Sequence, residues 1–294
     1  MRRLALLALI WGWSFLFIKV AVEGMTPAAV AAARITLGAT VMTLVLRGRG
    51  TLVPSRSSGL WRHFFALGVV GSAVPFTLLA WGEQYVSSAL TAVLNASTPL
   101  FAAGLAALML HERLRPSQVF GVLLGFVGVG IAAGVGGPDV ASSSLGGAAA
   151  SVGAAACYGM SFAYARKYIA TVPPLIAATG QLIAATALIA PFGIATTLQS
   201  GIHLEPHRVL AIAILGVVGT GYAYVLNYQS IAAVGPTRAS VVTQLIPIVA
   251  VTVGVLFLRE PFHLRLLFGG GLTLLGIALL HDRIRRFRPV PAAA

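Results

Sequence analysis

Long apolar segments alternate with short polar ones along the whole chain. Apolar runs of roughly 20 residues can cross a bilayer as helices, so this pattern predicts ten transmembrane helices. We expect them at residues 4–22, 27–46, 61–82, 87–110, 117–135, 147–168, 173–197, 208–229, 236–258 and 264–282. The sequence lacks the alternating segments of about ten residues that indicate a transmembrane β-barrel. The predicted fold class is an all-α integral membrane protein.

Composition supports a membrane protein. Hydrophobic residues make up 58% of the chain and charged residues 9%, whereas soluble domains carry about 25% charged residues. The net charge of +13 could suggest a nucleic-acid partner. Its placement argues against one, because the basic residues lie in short loops between apolar segments and form no basic face.

The distribution of Lys and Arg predicts the orientation in the membrane. With the N-terminus inside, fifteen of the 20 basic residues fall in inner loops and tails. Three fall in outer loops (Arg208, Arg259 and Arg265), and two lie within spans (Lys19 and Arg34). Cytoplasmic loops carry the excess of positive charge. We therefore expect a multi-pass protein of the cell inner membrane with both termini in the cytoplasm.

The chain contains an internal repeat. The segment Leu67–Gly71 returns unchanged as Leu215–Gly219, at an offset of 148. Nearer the start of each half the offset is 147, where Ser14 matches Ser161. One small gap over two halves indicates a duplication.

The duplication predicts an inverted architecture. Residues 1–135 form the first half, 136–146 the linker, and 147–294 the second half with a basic C-terminal tail. Each half is expected to hold five spans, and an odd number inverts the second copy relative to the first. Inverted repeats are typical of alternating-access transporters.

Two motifs point to a family. One has small residues at a helix start, a proline in mid-helix and a glutamate at the helix end. It occurs twice, as Ala89 to Pro99 to Glu112, and as Ala239 to Pro247 to Glu260. The other is the opening Trp11–Phe15. Together they resemble the EamA family of the drug/metabolite transporter superfamily, and within it the YddG-type amino acid exporters. The resemblance implies ten helices in two inverted five-helix repeats, and export of small metabolites, with aromatic amino acids the narrower expectation.

The paired prolines suggest irregular backbone in symmetric positions. A proline within a helix removes one hydrogen bond and kinks the helix. Pro99 and Pro247 therefore predict interruptions in the fourth and ninth spans, where transporters place gates and binding sites. A kink needed only for packing is the alternative.

Polar and aromatic residues within spans predict a substrate cavity, because such residues usually face the protein interior. The wider cluster comprises Trp11, Ser97, Trp81, Tyr164, Tyr224, Asn227 and Tyr228. The narrower set of substrate-binding candidates is Trp13, Ser14, Arg34, Asn95, Thr98, Tyr158, Ser161, Tyr222, Thr243 and Gln244. Aromatic rings combined with hydrogen-bonding groups suit a small amphipathic solute. Aromatic belts at the membrane interface are the alternative.

Two charged residues within spans allow two interpretations. Lys19 and Arg34 could form ion pairs with Glu23 and Glu83, or extend to the interface. Alternatively, Lys19 or Arg34 attracts a substrate carboxylate. No Asp or Glu lies deep in a predicted span, which favours facilitated export without a carboxylate that carries protons.

Other functions are less well supported by the sequence. The six histidines lie near helix ends or in loops, and Cys157 is the one cysteine, so we expect no enzyme activity, no metal and no cofactor. Four alternatives stay open: export of other metabolites, export of cationic drugs, a small-molecule channel, and a carrier of lipids or nucleotide sugars.

Glycines in the fifth and tenth spans allow close packing, and the chain is expected to be a monomer or homodimer.

Overall fold

All regular structure in the described part of the chain is helical. The computed structural model describes residues 2–51, 53–55, 57–135, 142–201, 205–234 and 241–281. Its helices are α1 (Arg2–Val22), α2 (Pro27–Gly48), α3 (Leu60–Gly82), α4 (Ser88–Asn95), α5 (Thr98–Leu110), α6 (Pro116–Ala133), α7 (Ser142–Tyr168), α8 (Pro174–Ser200), α9 (Pro206–Ala213, Ile214–Tyr222 and Ala223–Val234), α10 (Val241–Phe257) and α11 (Leu264–His281). Most of the predicted linker (136–141), the predicted start of the ninth span (236–240) and the basic cluster Arg283–Arg288 lie outside the described residues.

Several helix starts follow from local sequence. Four helices begin at a proline, namely Pro27, Pro116, Pro174 and Pro206. Proline is favoured there because its fixed φ suits a helix and its missing N–H would have no partner in the first turn. At α2 the preceding Thr26 accepts a hydrogen bond from a backbone N–H of the first turn, a regular N-cap.

Seven helical segments of the described chain are long and apolar enough to span a membrane. The remaining candidates differ for identifiable reasons. Ser142–Tyr168 is long but rich in Ala, Gly and Ser, and the apolar stretches Val242–Phe257 and Leu264–Leu280 are shorter. The coarse prediction of an all-helical membrane protein is confirmed, whereas the count of ten spans stays a prediction.

The two paired prolines behave differently. Pro99 lies in the first turn of α5, immediately after a break that separates α4 from α5. There the hydroxyls of Ser97 and Thr98 donate to the carbonyls of Leu94 (2.6 Å) and Asn95 (2.8 Å), which compensates for the interrupted helix.

Pro247 lies within the continuous helix α10. The helix is thus not broken at Pro247 as it is before Pro99, and a kink at Pro247 stays a prediction. The positions that match Ser97 and Thr98 are Leu245 and Ile246, whose side chains have no hydroxyl to bond the freed carbonyls. The proline is thus shared by the two halves, whereas the hydroxyl residues directly before it are not.

Two widened helical turns occur at repeat-related positions. Val69–Ala73 in α3 and Ile214–Tyr222 in α9 are π-helical, and the repeated segments Leu67–Gly71 and Leu215–Gly219 overlap them. Such turns are frequent at functional sites because they leave backbone groups outside the regular ladder. The first reaches the central cavity described below through Gly71, and the second contacts it through Thr220, which accepts a hydrogen bond from the lining residue Arg34.

Glycines bring α6 and α11 into direct backbone contact. A Cβ added at Gly121 would lie 2.7 Å from the carbonyl oxygen of Gly276, and one at Gly128 would lie 2.6 Å from that of Gly269. The residue order of these contacts runs in opposite directions, so the two helices are antiparallel. Close helix pairs in membranes use such small residues.

Candidate functional site

A central cavity of about 260 Å³ lies between α1, α2, α3, the α4–α5 break, α7, α8, α9 and α10. It brings together seven of the ten predicted substrate-binding residues. They are Ser14, Arg34, Asn95, Thr98, Tyr158, Ser161 and Thr243. Pro99 lines the cavity as well, because the break before α5 faces it.

Three predicted residues do not line the cavity, namely Trp13, Tyr222 and Gln244. Trp13 packs against Phe257 instead, with ring centroids 4.8 Å apart. Tyr222 is exposed on the outside of the bundle. Pro247, the predicted partner of Pro99, is also absent from the cavity wall.

Helix periodicity explains these differences. Successive residues in a helix are separated by about 100°, so Trp13 lies on the opposite side of α1 from Trp11. Trp11 does line the cavity, together with Ser14, Phe15 and Ile18. Ser14, Phe15 and Ile18 follow Trp11 by three, four and seven residues, the spacing of one helix face. This spacing is visible in the sequence and places Trp11 on the cavity face of α1. The same argument places Tyr224 inside when Tyr222 points outward.

Other residues that line the cavity were harder to predict from the sequence. Gln181 is the repeat partner of Arg34 and lies in the cavity wall. Asn227, three residues after Tyr224, shares its face of α9. Nothing in the sequence marked Phe76 as a cavity residue, since an apolar ring in an apolar helix resembles any core residue.

Arg34 is the principal charge of the cavity. The guanidinium is buried and lies over the face of Phe76, 4.0 Å from the ring centroid. Its Nε donates to Thr220 Oγ1 at 2.9 Å. Within the described residues no partner is found for its Nη groups, which leaves a fork of donors that suits a carboxylate.

The repeat partner of this contact is also present. Gln181 Nε2 donates to Ser72 Oγ at 2.9 Å, and Ser72 matches Thr220 in the duplication. Two repeat-related hydrogen bonds therefore flank the cavity. The charge occurs on one side alone, so the cavity is electrostatically asymmetric.

Asn95 supplies an acceptor. Its Oδ1 is buried and has no hydrogen-bond partner among the described residues. A buried polar atom without a partner is costly, and one in a cavity wall can bond a donor of the solute. By contrast, the hydroxyls of Ser14 and Ser161 donate to carbonyls of their own helices, Ile10 (3.0 Å) and Tyr158 (2.8 Å).

One end of the bundle is held together by polar contacts. We call it the Glu83 end, and it comprises residues 83–89 with Lys19 and Glu260. Lys19 Nζ donates to the main-chain carbonyls of Glu83 and Val86. Glu260 accepts from the amide (2.7 Å) and hydroxyl (3.1 Å) of Ser88, and from the amide of Ala89 (3.1 Å). The side chain of Glu83 is fully buried.

The opposite end carries Glu112, the repeat partner of Glu260. Glu112 forms a double hydrogen bond with Arg166, at 2.5 and 3.2 Å. Both side chains are exposed to solvent.

The predicted ion pairs of Lys19 and Arg34 with glutamates are wrong, because neither forms an ion pair within 4 Å in the described part of the chain.

No metal site is found in the part of the chain that the structure describes. It contains no group of three or more His, Cys, Asp or Glu side chains that could hold an ion. The cavity wall offers one guanidinium, amides, hydroxyls and aromatic rings.

Sequence comparison identifies the class of protein to which this cavity belongs. The sequence model of the EamA-like transporter family matches residues 4–134 and 145–281. The chain belongs to this family, and it is a multi-pass membrane protein of a transporter class.

Relatives agree with this assignment. The chain is 28% identical over 280 residues to an uncharacterized transporter of Archaeoglobus fulgidus, a match that covers 94% of this chain and 96% of the relative. It is 26% identical over 282 residues to a probable terminal-alkyne amino-acid exporter of Streptantibioticus cattleyicolor, covering 95% and 92%. A protein crystal structure shares the fold with a TM-score of 0.67 at 21% identity, covering 97% of this chain and 96% of that one.

Proposed function

We propose that this protein exports small amphipathic metabolites, above all neutral and aromatic amino acids, by alternating access. The observation that carries the substrate class is the buried Arg34 guanidinium in an otherwise largely apolar cavity. A carboxylate on the solute would receive charge-assisted hydrogen bonds from it.

The other walls of the cavity fit the rest of an amino acid. Asn95 Oδ1 offers an acceptor for an ammonium group. Trp11, Phe15 and Tyr158 offer rings for an apolar side chain. A volume of about 260 Å³ is slightly below the range of about 300 to 1,000 Å³ that drug-sized ligands occupy, which suits a smaller solute. The relative named as an amino-acid exporter adds support.

The proposed architecture is ten transmembrane helices in two inverted repeats, residues 1–135 and 147–294. Support comes from contacts between repeat partners. Gly121 meets Gly276 and Gly128 meets Gly269, so α6 and its counterpart α11 run in opposite directions. Within one membrane, antiparallel repeat partners are what inversion requires.

The ends of the bundle support alternating access. The Glu83 end is sealed by buried contacts, while the repeat-related Glu112 lies exposed with Arg166. Two halves with equivalent sequences thus adopt different arrangements at opposite ends. Exchange of these arrangements would open one end as the other closes. We further propose an inner-membrane location with cytoplasmic termini, and a lipid-embedded monomer or homodimer.

Replacement of Arg34 tests the substrate class. Each hydrogen bond to a charged group contributes about 1.5–3 kcal/mol, so loss of one corresponds to roughly 10- to 150-fold in affinity. Arg34→Gln is therefore expected to weaken saturable phenylalanine and leucine flux in proteoliposomes by at least about tenfold in KM. Phenethylamine, which lacks the carboxylate, should be transported equally by parent and variant or not at all.

The matched control is Arg47→Gln, an exposed arginine further along the same helix. It should leave KM unchanged. No amino acid flux with the parent protein would refute the amino acid assignment. Flux of phenethylamine that is stronger than that of phenylalanine would instead favour export of cationic drugs.

A further inference from the structure

Glu83 is a buried carboxyl group at the closed end of the bundle. It follows directly after the last residue of α3, in the turn that leads to α4. Its side chain is fully buried, and neither carboxylate oxygen has a hydrogen-bond partner among the described residues. A charged carboxylate without hydrogen bonds is strongly disfavoured away from water.

The charged neighbours of Glu83 come from three directions, and none of them forms a hydrogen bond with its carboxylate. Lys19 on α1 donates to main-chain carbonyls rather than to the Glu83 carboxylate. Arg34 on α2 is bonded to Thr220. Glu260, at the end of α10, is bonded to the start of α4.

These surroundings favour the protonated form of the group. Burial raises the pKa of Glu83 well above its usual range. The positive charge of Lys19 lowers this pKa, the negative charge of Glu260 raises it, and Arg34 lowers it. Burial has the largest effect and favours the neutral carboxyl.

We propose that Glu83 is a proton-binding site whose protonation favours closure of this end of the transporter. The inference rests on the proposed alternation between two states. Opening would bring water to the carboxyl and let it ionise, whereas closure requires it to be neutral. Protonation and closure are therefore linked, and the proton is released when the end opens.

The sign of the pH dependence follows from this linkage. The proton's contribution to closure is complete below the pKa of the hydrated carboxyl, about 4.3. It is lost as pH rises toward the higher closed-state pKa. Between the two values the ratio of open to closed molecules rises by up to about tenfold per pH unit, since one proton is exchanged. An acidic medium thus holds this end shut. Glu83 lies just beyond the predicted span 61–82, so the absence of carboxylates deep in the spans did not exclude such a control.

The test is accessibility of a buried position at the Glu83 end. Val86→Cys places a thiol at a position that is 6% exposed, in a Cys157→Ser background embedded in lipid nanodiscs. Labelling by a membrane-impermeant maleimide is measured from pH 5 to pH 8. The rate is divided by that of Gln84→Cys, whose neighbouring position is exposed, so the pH dependence of thiol chemistry cancels.

With Glu83 present, the normalised rate is expected to rise at least about tenfold with pH, as release of one proton allows. Glu83→Gln should keep it low and flat, because an amide mimics the protonated acid. Glu23→Gln, which changes an exposed glutamate just beyond α1, should retain the pH dependence. A flat ratio in the parent, or an equal rise in Glu83→Gln, would overturn the proposal.

A second variant keeps the test decisive if Glu83→Gln does not fold. Glu260→Gln removes the neighbouring negative charge and should move the midpoint of the pH dependence downward. An unmoved midpoint would contradict the proposal. The assay contains no substrate, so it can fail while amino acid flux is observed, and it can succeed while amino acid flux is absent.

Discussion

Glu260 and Glu112 occupy equivalent positions in the two repeats, yet the structure predicts different energetic roles for them. Glu260 bonds both amides that open α4, those of Ser88 and Ala89, and the hydroxyl of Ser87 bonds the next amide, that of Leu90. The first turn of α4 is therefore fully capped. Glu260→Ala would leave two buried amides without partners.

The magnitudes differ between the two sites. Hydrogen bonds to charged groups contribute about 1.5–3 kcal/mol, and a lost cap costs about 0.5–2 kcal/mol. These terms overlap, so we expect Glu260→Ala to lower the free energy of unfolding by about 2–3 kcal/mol. Glu112 pairs with Arg166 in solvent, where an ion pair contributes about 0–1 kcal/mol.

The measurement is reversible unfolding of each alanine variant in mixed micelles with increasing SDS, followed by far-UV circular dichroism. Added salt supplies a second criterion. The effect of Glu112→Ala should vanish at high ionic strength, because exposed pairs are screened, whereas that of Glu260→Ala should persist. Equal losses of stability for the two variants would refute the capping argument.

Two further predictions compare neighbouring residues. Gly269→Ala should destabilise the protein by about 1–3 kcal/mol, because the new Cβ would lie 2.5 Å from the amide of Ala132. In Gly271→Ala the new Cβ would meet nothing within 4 Å, so this change should stabilise the protein by about 0.5–1 kcal/mol. Thermal unfolding in detergent distinguishes the two variants. A Gly271→Ala protein less stable than Gly269→Ala would contradict the close packing of α6 and α11. Trp11→Ala should reduce amino acid flux in proteoliposomes more than Trp13→Ala, because Trp11 lines the cavity and Trp13 packs outside it. A larger loss of flux for Trp13→Ala would contradict the position of the cavity.

Much of the candidate site was predictable from residue type alone. Polar groups are costly in a membrane segment, so Ser14, Asn95 and Thr243 could be expected to face the interior, and they do line the cavity. Aromatic residues were less predictable, because a ring is stable in lipid, at the interface or in a cavity. Trp13 and Tyr222 were misplaced for that reason.

The duplication predicted more symmetry than the structure contains. Both prolines are present, but Ser97 and Thr98, whose hydroxyls bond carbonyls at the Pro99 break, are matched by Leu245 and Ile246. Arg34 and Gln181 keep matching hydrogen bonds while one is charged and the other neutral. The two halves thus have similar sequences, whereas their individual side-chain contacts differ.

The sequence by itself determined the membrane environment, the helical class, the family and the repeat, because hydropathy, charge placement and self-similarity are properties of the chain read in one dimension. The tertiary structure decided which residues share a cavity and which charges have partners. Lys19 and Glu83 illustrate this, since they are distant along the chain and yet meet at one closed end. Burial depends on what packs around a group, and for Glu83 the surrounding groups come from α1, α2 and the end of α10.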